Sequence, residues 1–413
     1  MKGEILFLAH RIPFPPDRGD KIRSHHILKR LAQMAPVHVA CFADNTSDLA
    51  SEGELATVTS THRLVDRKKS LMLAGIEALL HGEPISLPAF RSLALQDYIT
   101  RLLAEKRIDV IYVFSGQMGQ YVPADFTGQV IVDLVDVDSA KFDAYAEDSS
   151  WPMSWVNRRE GKLLKLEEQR LVERADDVLL VSEAEVNLLR ERLPGDLAGS
   201  TKIRALGNGT NSNFFNPSLV PPEPAMARKR GPHYVFTGQM DYPPNVAAAL
   251  RGIERLLPAI QAVHPEAEFH VVGRNPTTEL RTHDGKNGCR VWGEVADVRP
   301  FLVSADCVLV PLEIARGVQN KVLEAMAMAC PVVMTPQAAT GIGGKDGEHY
   351  WVADSDAGFV NAALKAVKPD NRLAIGDAAR RFVVENLSWM AMLAPLNAMV
   401  KTGPRQRSQS EEA

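Results

Sequence analysis

At 413 residues the chain is longer than one hydrophobic core usually serves, so two domains are expected. Hydrophobic residues at 45% and charged residues at 24% exclude a disordered or fibrous protein. A formal net charge of −4 gives no general basis for binding nucleic acid, and four scattered cysteines without a CxxC pair argue against a zinc site or a disulfide framework.

Taken in order, the chain opens on Ile5-Leu6-Phe7-Leu8-Ala9, an apolar run too short for a secretory or membrane-spanning segment. No later run reaches about 18 apolar residues. A cytoplasmic location is therefore expected, peripheral on the inner face of the cytoplasmic membrane at most. Short apolar strands are expected at 4–10, 37–43, 109–115, 130–137, 177–182 and 203–206. A helix is expected over 20–34, where Ile22, Leu28, Leu31 and Ala35 recur at helical spacing. The rhythm breaks at Gly207-Asn208-Gly209 and at the proline-dense 217–232, which also carries Arg228-Lys229-Arg230. It restarts with strands at 233–238, 268–273, 289–293, 307–312, 331–335 and 350–353.

Strands alternating with helices predict an α/β protein of two Rossmann-like, doubly wound parallel sheets facing across a cleft. The domains are expected at 1–206 and 233–390. A hinge is expected at 207–232, a C-terminal helix at 391–401 with the option of crossing back to the first domain, and a disordered tail at 402–413. Ligands in such sheets lie beyond the strand C-termini, so chemistry is sought in the strand-to-helix loops.

Three segments stand out there. In Val310 to Ala327 a buried strand gives way to a loop with Gly317 and a helix beginning near Gln319. Free amides of a first helical turn make an anion site, and Lys321 and Glu324 share one helix face. A cation for phosphate and a carboxylate for two sugar hydroxyls is the pairing that a ribosyl pyrophosphate needs, although any surface helix can carry a solvated Lys–Glu pair. Asp136-x-Asp138 invites magnesium or manganese, but a single such pair is weak. Asp136 or Asp138 orienting a hydroxyl, or both capping a helix, are the competing readings. Finally, 63–76 and 151–165 mix cations with leucines and tryptophans, which suits an anionic membrane surface as well as a packed helix. Ala339 to Lys345 lacks the first glycine of a phosphate-binding loop, and His25-His26 read as a packed or solvated pair.

Lys321-Val322-Leu323-Glu324-Ala325-Met326-Ala327 followed by Pro331-Val332-Val333 resembles the donor-site helix of family 4 glycosyltransferases, which have the GT-B fold. Phe236 to Asn245 resembles the first loop of the family's C-terminal domain. Val271-Val272-Gly273-Arg274-Asn275-Pro276 resembles its second loop, and Val291 to Val295 its nucleobase-side loop. Pro13 to Asp20 resembles the loop that faces the donor phosphates, and Asn208-Gly209 the hinge. The detailed pattern is most similar to sugar transferases of PEP-CTERM/exosortase exopolysaccharide systems.

The resemblance implies a retaining transfer from a nucleotide-diphosphate sugar, a co-substrate rather than a cofactor, to a hydroxyl of a lipid-linked or growing saccharide. It implies no metal. Glu324 would hold the donor ribose and Lys321 the diphosphate. The amides of Gly317 and Val318 would touch phosphate and sugar, while Gly238 and Arg274 line the donor loops. Gly19 would let the first domain close over the donor. Relatives carry Glu-x7-Glu, yet eight residues before Glu324 stands Arg316, a candidate phosphate ligand that also puts the transferred sugar, and catalysis itself, in question. Arg316, Lys321 and Asp136 are thus the catalytic candidates. The rivals are a nucleotide-sugar epimerase or hydrolase on the same fold, and a catalytically silent binding protein.

Overall fold

Short runs rich in valine, isoleucine and phenylalanine bury both faces when they lie in the middle of a parallel sheet, and that is what these runs do. The computed structural model describes residues 3–227, 231–315 and 318–401. Two compact units result: one holds the chain as far as Asn208 and again from Leu393, the other runs Gly209–Met392.

The first unit is a seven-stranded sheet of β1 (Glu4–Ala9), β2 (Val37–Ala43), β3 (Thr61–Asp66), β4 (Ile108–Phe114), β5 (Gln129–Val135), β6 (Asp177–Leu180) and β7 (Ile203–Ala205). The order is β3-β2-β1-β4-β5-β6-β7 with parallel pairing throughout. The second unit contains β8 (His233–Thr237), β9 (Glu268–Val272), β10 (Cys289–Gly293), β11 (Cys307–Val310), β12 (Val332–Met334) and β13 (Trp351–Val352), ordered β10-β9-β8-β11-β12-β13 and again parallel. In each sheet the order reverses beside the first strand, between β1 and β4 and between β8 and β11. Loops diverge at such a point and leave room for a ligand. The expected strands are all present within a residue or two of their limits; β3 is an addition.

The helices that matter to the site are α1 (Gly19–Ala32), α2 (Leu71–His81), α3 (Asp138–Asp148) and α4 (Met153–Arg174) in the first unit, and α5 (Pro243–Arg251) and α6 (Asn320–Ala327) in the second. All four cysteines are free and buried, and burial pushes their thiols up, to about 12 at Cys289 and Cys330.

A buried ion pair pins the first unit. Arg23 on α1 donates from Nε and Nη2 to the two Asp133 oxygens of β5, each at 3.1 Å. Tyr112 of β4 donates its hydroxyl to the same carboxylate at 3.0 Å. Arg23 Nη1 reaches on to the Leu206 carbonyl at 2.7 Å and to Asn208 Oδ1 at 3.0 Å, where the unit's first passage of chain ends. The Leu393–Lys401 stretch returns to this unit: Gln129 donates to the Met399 carbonyl and accepts from the Lys401 amide, and Arg30 donates to Asn397.

The proline-dense stretch expected as a hinge is folded onto the second unit. Met226 is buried there, with Phe215 and Val220 against the same core, and the Glu223 amide donates to Ser304 Oγ at 2.7 Å. This unit begins and ends together, because Thr210 bridges Ser388 and its amide donates to the Leu387 carbonyl. Residues 228–230 and the expected tail at 402–413 lie outside the described residues.

Candidate active site

Where β8 ends, Phe236 and Thr237 lead into Gly238, and where β9 ends Val272 leads into Gly273. The two loops touch: a Cβ on Gly273 would lie 1.6 Å from the Gly238 carbonyl oxygen, so only glycine fits. Arg274 then donates from Nη2 to Gln239 Oε1 at 3.0 Å, and its carbonyl accepts from the Met240 amide.

The loop after β11 brings α6 to the same corner. Lys321 lies in the first turn of α6, largely buried, with Nζ 4.5 Å above the Phe236 ring centroid. A Cβ on Gly238 would come within 2.9 Å of that Nζ, so this glycine clears the space that the ammonium occupies. Burial lowers the Lys321 ammonium to about 8, and the neighbouring charge of Glu324 only partly opposes it. Glu324, one turn on, is raised in turn by burial, opposed by Lys321. Among the described residues nothing hydrogen-bonds the Glu324 carboxylate. Of the donor-binding candidates, Gly238, Arg274, Lys321 and Glu324 thus share one corner of the second unit. Val318 is exposed just before α6, whereas Arg316 and Gly317 lie outside the described residues.

In the first unit, Gly19 opens α1, and a Cβ there would meet nothing within 4 Å. The loop it belongs to carries a charge network that sequence reading missed. Asp20 accepts from Arg11 at 2.7 Å and lies 3.2 Å from His10 Nε2, while Asp44 accepts from Arg67 at 2.7 Å and also pairs with Arg11. Burial works to raise the Asp20 carboxyl, but the hydrogen bonds from His10 and Arg11 hold it well below the usual carboxylate range. These residues follow β1, β2 and β3, and no motif spacing links them.

Asp136 and Asp138 follow β5. Both accept from Lys141 Nζ, at 2.8 and 3.2 Å, so the pair holds a lysine. Asp138 opens α3 without a side-chain capping bond. Just before them Val135 has φ +71°, a strained conformation for a β-branched residue, and its amide donates to Asp133. His25 accepts the packed reading: it is buried against the Pro13 carbonyl at 3.2 Å, and burial lowers it to about 4.

Among the described residues one group has the donors to hold a metal ion: His233, Glu268 and His270, all buried. Its hydrogen bonds favour another use. The Trp292 indole, which can only donate, meets His270 Nδ1 at 3.1 Å. That assigns the neutral His270 proton to Nε2, which faces His233 Nδ1 at 3.0 Å. The two nitrogens that a cation would need are therefore engaged with each other, and the cluster fits a hydrogen-bond chain.

Residues 231–368 match the family described as Glycosyl transferases group 1. By structure the chain is similar to a glycosyltransferase from Rickettsia africae ESF-5, at 14% identity and a TM-score of 0.60, covering 96% of this chain and 97% of that one. It is similar to Anabaena HepE in complex with UDP and glucose, at 15% identity and 0.54, covering 96% and 99%. It is also similar to sucrose-phosphate synthase from Thermosynechococcus elongatus, at 17% identity and 0.57, covering 96% and 98%. None of the curated proteins matches it by sequence. The two parallel-sheet units have the GT-B fold that the sequence led us to expect.

Proposed function

Because residues 231–368 match a glycosyltransferase family and the two units have the GT-B fold, we propose that the chain is a glycosyltransferase that draws its sugar from a nucleotide-diphosphate sugar held at the Lys321 corner. The acceptor in this reading is a hydroxyl of a lipid-linked or growing saccharide in exopolysaccharide biosynthesis, and transfer retains the anomeric configuration. The family 4 motifs, in their PEP-CTERM-associated form, are what suggest these finer points. One observation carries the donor assignment: a largely buried ammonium, Lys321 Nζ, stands where the loops after β8 and β11 diverge, with the Glu324 carboxylate one turn further along α6.

As the bond from the anomeric carbon to the phosphate oxygen breaks, negative charge grows on the diphosphate. Lys321, Arg316 and the amides of Gly317 and Val318 offset it, which is electrostatic catalysis without a metal. Glu324 accepts the two ribose hydroxyls, Gly238 and Arg274 line the donor, Gly19 leaves room beside the phosphates, and Asp136 orients the acceptor hydroxyl. Thermal-shift screening of UDP-, GDP- and ADP-sugars is expected to find one that stabilises the chain, with UDP-glucose the first choice given that Anabaena HepE is also seen in complex with UDP-glucose. Product analysis then completes the test. A sugar appearing on the acceptor supports transfer; a donor epimerised or hydrolysed with or without acceptor rejects it.

We place the working enzyme at the inner face of the cytoplasmic membrane, attached through the first unit. No described helix is long and apolar enough to cross a bilayer. However, α2 exposes Leu71, Met72, Leu73, Ile76, Leu79 and Leu80, each more than half accessible. Arg159 on α4 donates to the Ala78 carbonyl of α2, and the start of α4 adds exposed Trp151, Met153 and Trp155. Arg158, Lys162 and Lys165 lie exposed on α4 at helical spacing. By contrast, Arg67 and Lys69 are engaged with Asp44 and Glu77, so they have less to offer a lipid headgroup. Flotation with vesicles containing anionic phosphatidylglycerol is expected for the wild type and lost on L73E/L80E or R158E/K162E/K165E. Flotation unchanged in both variants would remove the membrane from this account.

A further inference from the structure

A lysine is a point charge on four rotatable bonds, and burying it removes the water that would otherwise solvate it. Something must therefore hold Lys321. Its Nζ donates to Asn245 Oδ1 at 2.7 Å. Asn245 is itself buried in the first turn of α5, a helix entered through Pro243 and Pro244. Its Nδ2 donates to the Gln239 carbonyl at 2.9 Å, which settles the amide orientation: nitrogen to carbonyl, oxygen to ammonium. A Cβ on Gly238 would lie 2.9 Å from both Lys321 Nζ and Asn245 Nδ2, so the glycine, the amide and the ammonium form one close-packed assembly over the Phe236 ring.

We propose that Asn245 is the positioning residue of the donor site, fixing the Lys321 ammonium over Phe236 while leaving its other protons, and its whole charge, for the phosphoryl oxygens of a nucleoside diphosphate. This inference rests on the donor-site reading above. The residue type matters. A carboxylate at position 245 would orient Lys321 equally well but would pair with it, using its charge before the diphosphate arrives. An apolar side chain would leave the charge free and the stem unrestrained. An amide oxygen orients without neutralising. Among the described residues the other charge that bears on Lys321 is Glu324, whereas Arg274 and Asp241 on the neighbouring loops are held by Gln239 and Asn275.

The test is calorimetric titration of the full chain with UDP, GDP and ADP, following the tightest of the three from about pH 7 to about pH 10, across the ordinary lysine range. Wild-type affinity is expected to fall as the pH rises past about 8, where Lys321 loses its proton. N245A, checked for an unchanged circular dichroism spectrum, is expected to bind about tenfold more weakly, the loss of one hydrogen bond to a charged group. N245D is expected to weaken binding at neutral pH and to move the alkaline fall upward by about one unit or more, because the new carboxylate holds the proton on Lys321. A purely structural role for Asn245 would not move that pH limb. If K321A loses binding while N245A and N245D keep both wild-type affinity and the wild-type limb, the positioning role is wrong and the donor site stands. If K321A binds like the wild type, or if the wild type binds none of the three diphosphates, the donor-site reading falls and this inference with it.

Discussion

Replacing Lys321 by alanine is expected to lower kcat/KM for the donor by about 10²–10³, the usual cost of deleting one preorganised group that meets charge developing in the transition state. The ammonium suits that task because it is largely buried and held in place by Asn245 and Phe236, so little reorganisation is needed when the diphosphate departs. Glu324→Ala is expected to cost about 10- to 100-fold through lost hydroxyl contacts. Neither change should unfold the second unit. Lys321 has its ammonium lowered to about 8, so between there and the ordinary lysine value of 10.5 the unfolded chain binds the extra proton. Stability should therefore rise with pH across that window in the wild type, and the rise should be missing in K321A. Steady-state kinetics with the donor found by screening, together with denaturant unfolding at several pH values, checks both halves. Near wild-type turnover in K321A and E324A would refute the assignment of this corner.

The largest stability effect is expected in the other unit. Arg23→Met should destabilise the first unit by about 3–5 kcal/mol, because it removes one partner of a buried ion pair and leaves the other charge without compensation. Asp133 is fully buried, and the Tyr112 hydroxyl and the Val135 amide cannot neutralise it. The same substitution strips two contacts from the Leu206 carbonyl and the Asn208 side chain. A double variant with Asp133 also made apolar should recover part of the loss, since a buried pair replaced as a whole costs far less than one broken in half. Denaturant unfolding of R23M, D133L and R23M/D133L checks this, and a double variant less stable than the sum of the two single losses would contradict it.

Most of the sheet was legible because a strand buried on both faces has few alternatives to a continuous apolar run, as in Ile5 to Ala9 or Val308 to Val310. The strand β3 was not, for the opposite reason. It lies at the sheet edge, none of its residues is fully buried, and Arg63 and Asp66 made it look like part of a basic surface segment. At the candidate site, Lys321, Glu324, Gly238 and Arg274 could be picked out because each sits in a loop or in the first two turns of a helix after a readable strand. What position in the chain could not reveal is partnership. Asn245 lies 76 residues from Lys321, and nothing local to either marks the pair. Asp133 stood in the same acidic run as Asp136 and Asp138, yet the fold turns one inward to Arg23 and the others to Lys141.

The way the backbone threads the two units has a practical corollary. Covalently, 209–392 is a guest spliced into a host, and the host recovers its last strip only at Leu393. A stop codon after Met392 would thus injure the host, whose Gln129 loses both of its tail partners, Met399 and Lys401, while the guest, its two ends clasped at Thr210 and Ser388, would keep every residue it owns.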